Sequence, residues 1–228
     1  MEKALLKILA VIFVVFTLPG NISALEDKIL GVSELMRKVE EIYSSSKTFK
    51  SDFEQKYIDR NFSGLESSGE VYFKRPGMMR WIYKKPSKKI IASFENNMWI
   101  YDANDSQAIL DKNFKKEKLP SSISFLWGDG KLLDIFNYRI LSVVEVKGST
   151  RYIVELLPKE EIPNVVKINF IVNGENFLII ETSLFDMFGN ENRIIFSNTK
   201  LNDTIKDNFF KFEPPKGVTV IEPPKISK

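Results

Sequence analysis

Eleven short runs rich in aromatic and β-branched residues follow one another from Thr48 to Pro214, and they constrain the fold more than any other feature. Each run has the composition of a β-strand, and turn-forming pairs such as Asn96-Asn97, Gly148-Ser149 and Asn173-Gly174 separate the runs. Asn173-Gly174 suits a type I′ hairpin. Serial hairpins predict an antiparallel meander of about eleven strands. The runs are TFKSDFEQKYI, GEVYFK, RWIY, KIIASF, MWIYD, YRILSVVEV, RYIVELL, VVKINFIV, FLIIETSLF, RIIFSNTK and FFKFEP.

Two stretches have helical periodicity instead. From Asp27 to about Ser45, apolar residues recur at three- and four-residue steps, which predicts one amphipathic helix. A second, short helix is predicted within residues 119–136, where Pro120 and Ser121 precede a group of apolar residues. The apolar positions of the first helix are Ile29, Val32, Leu35, Met36, Val39, Ile42 and Tyr43.

A sheet of this many strands, with two short helices to cover it, must curl and enclose a volume. In the run FLIIETSLF, residues 177–180 do not alternate between apolar and polar, so both faces of the sheet are expected to be partly buried. Two interpretations stay open. The inner side chains either pack against the helices as a solid core or leave a lipophilic cavity with the helices as its cover.

The first 24 residues have the organisation of a secretory signal. Lysines at positions 3 and 7 precede an apolar run over residues 8–18, and the small residues Ser23 and Ala24 follow it. An uncleaved anchor helix is the alternative, but this run is shorter than the ~20 residues that a membrane span requires. We expect cleavage after Ala24, which leaves residues 25–228 as a single domain.

The sequence contains no histidine and no cysteine, which excludes Ser-His and Cys-His catalysis, disulfides and the commonest zinc sites. Paired carboxylates such as Glu40-Glu41 and Glu160-Glu161 are adjacent, so they point in different directions and suit a solvated surface. The net charge is +3, and basic residues are interleaved with acidic ones, which argues against nucleic acid as a partner. We expect neither enzymatic activity nor a cofactor or metal.

Residues 74–81, KRPGMMRW, place an arginine before a proline at the end of a predicted strand. Pro76 fixes its own φ and biases Arg75 toward an extended backbone, so the guanidinium leaves the strand end in one direction. Its planar fork of N–H donors can hold several backbone carbonyls together, and the two unbranched, polarizable methionines that follow can adapt to surfaces of variable shape. The alternative is an ordinary hairpin with solvated Lys74 and Arg75. Nothing in the sequence assigns the same role to Arg80.

Five segments in fixed order carry further motifs across nearly the whole chain after the signal. The segments are FKSDFEQKY (49–57), GEVYFKRPGMMRW (69–81), MWIYDANDSQA (98–108), LPSSISFLWG (119–128) and FFKFEPPKGVTV (209–220). Together they resemble the LolA family of periplasmic outer-membrane lipoprotein carriers.

This resemblance implies a mainly β fold with an α-helical lid, in which an unclosed, strongly curved antiparallel β-barrel covers a hydrophobic cavity. It also implies a soluble, monomeric, non-enzymatic periplasmic chaperone that carries the acyl chains of lipoproteins from the inner to the outer membrane. Its partners would be acylated lipoproteins, an inner-membrane lipoprotein-releasing transporter and an outer-membrane lipoprotein acceptor. By the same resemblance, Arg75 is the lid latch, which hydrogen-bonds to the lid in the closed state.

The lipid-binding surface is expected to combine apolar side chains of the lid and of the sheet. Carriage of another lipid, such as a glycolipid or a biosynthetic precursor, is an open alternative, as are a lipid-sensing regulatory module and a hydrolase with a carboxylate pair in the cavity. The predicted lipid-binding residues are Leu35, Met36, Val39, Ile42, Phe73, Met79, Trp81, Phe94, Trp99, Phe125 and Leu126.

Overall fold

The computed structural model describes residues 29–61, 64–112, 114–115, 123, 126 and 132–223. Residues Gly31–Lys228 form one compact unit, and Met1–Leu30 belong to a second unit, of which Ile29 and Leu30 are described. The predicted signal peptide, residues 1–24, and the predicted site residue Phe125 lie outside the described residues.

Helix α1 spans Val32–Ser45, later than the predicted start at Asp27, because Gly31 has an extended backbone at the N-cap. The helix ends where Ser46 returns to an extended conformation. Its buried side chains recur at three- and four-residue steps, as an amphipathic helix requires. Within the described part of the chain, no helix combines the length and apolar character needed to cross a membrane.

Twelve strands join in one sheet among the described residues. A short helix, α2 (Leu132–Ile135), precedes the seventh strand, and a 3₁₀ turn (Asp207–Phe209) precedes the last. The strands are β1 (Thr48–Ile58), β2 (Gly64–Lys74), β3 (Met78–Lys85), β4 (Lys89–Phe94), β5 (Asn97–Asp102), β6 (Gln107–Asp111), β7 (Phe136–Val146), β8 (Ser149–Pro158), β9 (Lys167–Asn173), β10 (Ile179–Phe185), β11 (Glu191–Leu201) and β12 (Thr219–Ile221).

The strand order is β12-β6-β5-β4-β3-β2-β1-β11-β10-β9-β8-β7. Two antiparallel meanders, β1 to β6 and β7 to β11, are joined by the pairing of β1 with β11. Strand β12 alone pairs in parallel, with β6. The result is one unclosed, strongly curved, almost entirely antiparallel sheet, which confirms the predicted fold class.

The run FFKFEP is not a strand, so this part of the prediction was wrong. Phe209 ends the 3₁₀ turn, while Phe210 and Phe212 are buried on either side of the exposed Lys211. This alternation arises because the segment lies across the face of the sheet, and it imitates the pattern of a strand. Two strands that the sequence did not predict, β6 and β12, are only five and three residues long, and β12 is exposed along its whole length.

The predicted type I′ turn at Asn173-Gly174 was also wrong. That turn type needs positive φ at both central residues, but the positive φ in this hairpin is at Phe177, 58°. The Asn173 side chain instead organises a longer loop, because its Oδ1 accepts the N–H groups of Glu175 and Asn176 at 2.8 and 3.2 Å. Glu95-Asn96 and Lys147-Gly148 do have the paired positive φ values of a type I′ turn.

The sheet has two faces, which differ in what covers them. We define the inner face as the one that carries Phe49, Phe73 and Trp81, and helix α1 packs on it. The outer face carries the alternate residues, including Tyr72 and Arg80, and the C-terminal segment 205–212 packs on it. Because side chains alternate along each strand, the two faces are built by neighbouring residues.

Candidate functional site

Helix α1 buries its apolar stripe completely. Leu35, Met36 and Val39 have no exposed surface, and the Tyr43 ring, 6% exposed, lies 6.2 Å from the ring of Phe49 on β1. Ile42, at the edge of the stripe, is half-buried. Each full burial of this kind is worth about 1.5–3 kcal/mol, so the helix is held mainly by its apolar face.

Beneath the helix, aromatic side chains from neighbouring strands form a continuous cluster on the inner face. Phe49 lies directly opposite Phe73 across β1 and β2, with ring centroids 6.2 Å apart. The Phe73 ring lies 6.4 Å from that of Trp81, and Trp81 meets Phe53 edge-on at 4.7 Å. The register brings these rings together because opposed residues of paired strands share a face.

Arg75, immediately after β2, connects the sheet to the end of helix α1. Its Nη1 donates to the carbonyl of Ser44 and its Nη2 donates to the carbonyl of Tyr43, each at 2.6 Å. Both acceptors belong to the last turn of α1, where the carbonyls have no backbone N–H partners within the helix. A single side chain thus ties the turn between β2 and β3 to the helix terminus.

The charge of Arg75 also suits this position. The last turn of α1 contains no basic residue, so the helix itself does not neutralise the negative end of its dipole. The Arg75 guanidinium supplies that positive charge from the sheet. Alternation along the strand accounts for its direction, because Phe73 faces inward, Lys74 outward and Arg75 inward again.

Two further hydrogen bonds hold α1, and no sequence pattern predicted either of them. The backbone N–H of Ile179 donates to the Tyr43 hydroxyl at 2.9 Å, and the N–H of Leu133 donates to Glu40 Oε1 at the same distance. Burial raises the pKa of Tyr43 well above its ordinary value, so the phenol stays neutral. Both donors are backbone N–H groups. Every residue except proline has such a group, so a sequence pattern cannot show which of them donates to α1.

Most of the predicted site residues of the sheet lie on the inner face. Phe73, Met79 and Trp81 are 3%, 1% and 3% exposed there. Leu126 is also buried, and with Tyr43, Arg75 and neighbouring side chains it lines a space of about 10 Å³. A space of that size holds at most one water molecule, so α1 and the sheet are in close contact beside the Arg75 hydrogen bonds.

Phe94 and Trp99 are not brought to the surface that α1 covers, contrary to the prediction. Trp99 lies opposite Ala92, which lies opposite Arg80, so all three share the outer face. There the Trp99 ring packs 5.7 Å from Phe212. Phe94 follows the same alternation as Ala92 along β4. Sequence alternation shows that neighbouring residues differ in face, but it does not say which face is inward.

The C-terminal segment is held to the outer face by two cations of the KRPGMMRW stretch. Lys74 Nζ pairs with Asp207 at 2.6 Å and also donates to the carbonyl of Ile205. Arg80 Nη1 donates to the carbonyl of Phe209 at 2.6 Å, and its guanidinium lies 5.2 Å from the centre of the Phe209 ring. Nothing in the sequence assigns Arg80 to the lid, and in the structure its partners lie on the outer face, opposite to α1.

Comparison with known proteins is consistent with this architecture. The profile of the family described as "Outer membrane lipoprotein carrier protein LolA" matches residues 44–213. The "Outer-membrane lipoprotein carrier protein" of Nitrosomonas europaea is 31% identical over 178 residues, which cover 76% of this chain and 82% of that protein. The protein of the same name from Methylococcus capsulatus is 30% identical over 188 residues, covering 81% and 86%.

Among solved structures, an uncharacterized conserved protein from Thermus thermophilus superposes with a TM-score of 0.55. It is 12% identical and covers 84% of this chain and 98% of its own, which shows a likeness of fold alone. The family profile and the sequence relatives go further, because they span most of the chain. The chain therefore belongs to the LolA family of outer membrane lipoprotein carrier proteins.

Proposed function

We propose that this protein is a non-enzymatic carrier that binds the acyl chains of lipoproteins between helix α1 and the inner face of the sheet. It works in the periplasm and moves its cargo from the inner to the outer membrane. Family membership and the names of its relatives support the cargo class. Helix α1 is the lid, Arg75 is its latch, and the apolar side chains beneath the lid contact the lipid.

One observation carries the proposal: the Arg75 guanidinium fastens the end of an amphipathic helix over an aromatic surface. The donor groups reach the carbonyls of Tyr43 and Ser44, both at 2.6 Å. Hydrogen bonds to a charged group are worth about 1.5–3 kcal/mol, a roughly tenfold to hundredfold effect on an equilibrium. A contact of this strength can close a lid and still yield to a ligand.

A carrier of acyl chains has to bind them tightly enough to cover them in water and weakly enough to release them. Each exposed CH₂ group costs about 0.8 kcal/mol in water, so a lipid anchor cannot cross the periplasm uncovered. The carrier must nevertheless release the chain to an acceptor. Because α1 covers the same apolar surface that the cargo needs, lid and cargo compete, and the net affinity is lower than the buried area would give.

The close packing under α1 supports a lid that has to move. The space beside Tyr43, Phe49, Phe73 and Leu126 is about 10 Å³, too small for an acyl chain. Cargo would therefore enter only when the α1 side chains withdraw from the inner face. The conformation with Arg75 bound to α1 is then the closed, empty form.

Export and partners complete the proposal. Signal cleavage after Ala24 would release residues 25–228 as a soluble, monomeric domain without a lipid of its own. An inner-membrane lipoprotein-releasing transporter would load this domain, and an outer-membrane lipoprotein acceptor would unload it. The lipid that this domain carries can be identified directly in the purified protein.

The test is to isolate the protein from the periplasm, measure its intact mass and identify what copurifies by mass spectrometry. We expect a chain that begins at or near Leu25 and carries acylated lipoprotein. The delipidated protein should then bind an acylated peptide and transfer it to acceptor liposomes. No affinity for acylated peptides would refute the carrier, and a copurifying glycolipid or biosynthetic precursor would replace the proposed cargo.

A further inference from the structure

The indole N–H of Trp81 is a buried donor that has no hydrogen-bond acceptor among the described residues. The side chain is 3% exposed and lies on the inner face, so water does not reach this group either. A buried polar group without a partner destabilises the fold, because it has lost its hydrogen bonds to water and gained none in the protein. Such a cost at the proposed binding surface calls for a physical explanation.

The surroundings of this donor do not satisfy it. The Phe53 ring meets Trp81 at 4.7 Å and 66°, and the Tyr83 ring stacks on it at 6.3 Å, so the neighbours present aromatic rings, which accept hydrogen bonds only weakly. Polar side chains of the inner face near Trp81 have other partners. Tyr83 donates to Gln55 Oε1 at 3.0 Å, and Gln55 Nε2 donates to Asn192 Oδ1 at 2.8 Å. Burial raises the pKa of Tyr83 to about 12, so it remains a donor and offers no anion to the indole.

A row of isoleucines begins beside Trp81 and crosses the inner face to the edge of the sheet. Trp81 lies opposite Ile91, Ile91 opposite Ile100, and Ile100 opposite Ile109. Ile91 and Ile100 are half-buried, and Ile109 and its β12 neighbour Ile221 are 41% and 39% exposed. With strands about 4.8 Å apart, the row from Trp81 to Ile109 extends about 14 Å. It contains no ionisable side chain.

We propose that the Trp81 indole N–H donates a hydrogen bond to the carbonyl oxygen of an ester- or amide-linked acyl chain, which lies along the row Ile91, Ile100 and Ile109. This inference rests on the proposed carrier function and names the part of the cargo that the inner face recognises. A neutral donor at the buried end of an apolar row fits one neutral acceptor followed by hydrocarbon. A free carboxylate fits less well, because a buried charge without a counter-ion costs far more than a buried carbonyl.

The test varies the donor and the acceptor separately. The ligands are a short peptide with an ester-linked palmitoyl chain and its ether-linked analogue, which lacks the carbonyl. The proteins are the full mature chain and the same chain with 3-benzothienylalanine in place of Trp81, a residue that keeps the shape of tryptophan but has sulfur instead of N–H. The parent should bind the ester about fivefold to tenfold more tightly than the ether. The benzothienyl protein should bind the two ligands equally.

The matched control is 3-benzothienylalanine in place of Trp99, which packs against Phe212 on the outer face. This variant should keep the preference of the parent for the ester. As a second readout in the parent, the indole ¹⁵N–¹H resonance of Trp81 should move with the ester ligand and much less with the ether.

Two outcomes would overturn the inference, and only one of them would also refute the carrier function. Equal binding of ester and ether by the parent, with the benzothienyl protein unchanged, would refute the hydrogen bond while leaving the carrier function intact. Binding of neither ligand by the parent would refute the carrier function and the inference together. Because the ester and ether are compared in the parent itself, poor folding of a variant does not prevent a decision.

Discussion

At the scale of single residues, the stretch KRPGMMRW distributes its cations between the two faces of the sheet. Arg75 reaches the inner face and binds carbonyls of α1, whereas Lys74 and Arg80 reach the outer face and bind the C-terminal segment. The division follows from the alternation of side chains along β2 and β3. Charges that look equivalent in the sequence therefore have different partners and should have different effects when removed.

Replacement of Arg75 should shift the lid equilibrium with little loss of stability. Arg75→Leu removes the hydrogen bonds to Tyr43 and Ser44, so we expect the ratio of closed to open forms to fall about tenfold to a hundredfold. Arg75→Lys should lie in between, because an ammonium lacks the planar fork. The measurements are binding of an apolar fluorescent probe, transfer of an acylated peptide to liposomes, and the melting temperature. Probe binding should rise, cargo release should slow, and melting should change little.

The matched control is Arg37→Leu on the exposed side of α1. Arg37 makes an i,i+4 pair with Glu41, and both side chains are more than half exposed, so its loss should cost little. Arg80→Leu is unsuitable as a control, because it would release Phe209 from the outer face. If Arg75→Leu matched the parent in probe binding and transfer, Arg75 would be a solvated turn residue and no latch.

At the scale of secondary-structure elements, helix α1 is both part of the packed interior and the proposed moving part. Its apolar stripe is fully buried, and among the described residues Arg75, the Tyr43 hydroxyl and Glu40 hold it to the rest of the unit by hydrogen bonds. The sheet, in contrast, is held by backbone ladders along its whole length. An element held by side-chain contacts can leave as a unit while a sheet held by backbone ladders stays folded.

A charged substitution under α1 should distinguish a lid from a fixed core. Leu35→Asp places a carboxylate where the side chain has no exposed surface. If α1 is a lid, it can leave the sheet and expose the charge to water, so the sheet should melt nearly as in the parent. Acyl-peptide binding should weaken about tenfold or more, because the carboxylate replaces an apolar side chain of the proposed lipid-binding surface. Thermal melts beside binding isotherms measure both. Ser33→Asp, at an exposed position of the same helix, is the control. A melting temperature that collapsed in step with binding would show that α1 is core.

At the scale of the whole molecule, the sheet gains its size by joining two meanders through β1 and β11. Strand β6 lies near one edge of the sheet, and β7, the next strand in the chain, forms the opposite edge. The first strand of the first meander, β1, therefore pairs with the last strand of the second meander, β11. The second meander contains a buried carboxylate on its outer face: Glu155 accepts from Arg139 at 2.7 Å and from Lys167 at 3.2 Å. Three neighbouring strands, β7, β8 and β9, are linked by this cluster.

The Glu155 cluster should make the stability of the sheet depend on pH. Burial alone would raise the pKa of Glu155, but hydrogen bonds from Arg139 and Lys167 hold it below its ordinary value. Because the folded-state pKa is depressed, the stabilisation is present above the ordinary pKa of about 4.3 and is lost as the pH falls through the folded value. Glu155→Gln should therefore lower the melting temperature clearly at about pH 7 and very little at about pH 2.

The exposed pair of Lys56 and Glu66 provides the comparison, since Glu66→Gln should change melting only slightly at any pH. Equal effects of Glu155→Gln at neutral and acid pH would show that the carboxylate charge does not link these strands. In that case packing alone would account for the stability of this part of the sheet.

The sequence by itself determined the features that depend on local periodicity. The alternating runs located β1 and β4 at the bounds that the structure has, and the three- and four-residue steps identified Leu35, Met36 and Val39 as the buried stripe of α1. Pro76 next to Arg75 indicated that the Arg75 side chain leaves the end of a strand in one direction. These inferences succeeded because each depends on a few neighbouring residues whose periodicity sets which side chains share a face.

Only the tertiary structure decided which face is inner and which groups meet across it. Trp99 and Phe94 lie on the outer face. Arg80 donates to the carbonyl of Phe209, 129 residues away. The Trp81 indole N–H has no acceptor among the described residues. The physical reason is that strand alternation is symmetric between the two faces. That symmetry is broken only when α1 and the C-terminal segment pack on opposite sides of the folded sheet.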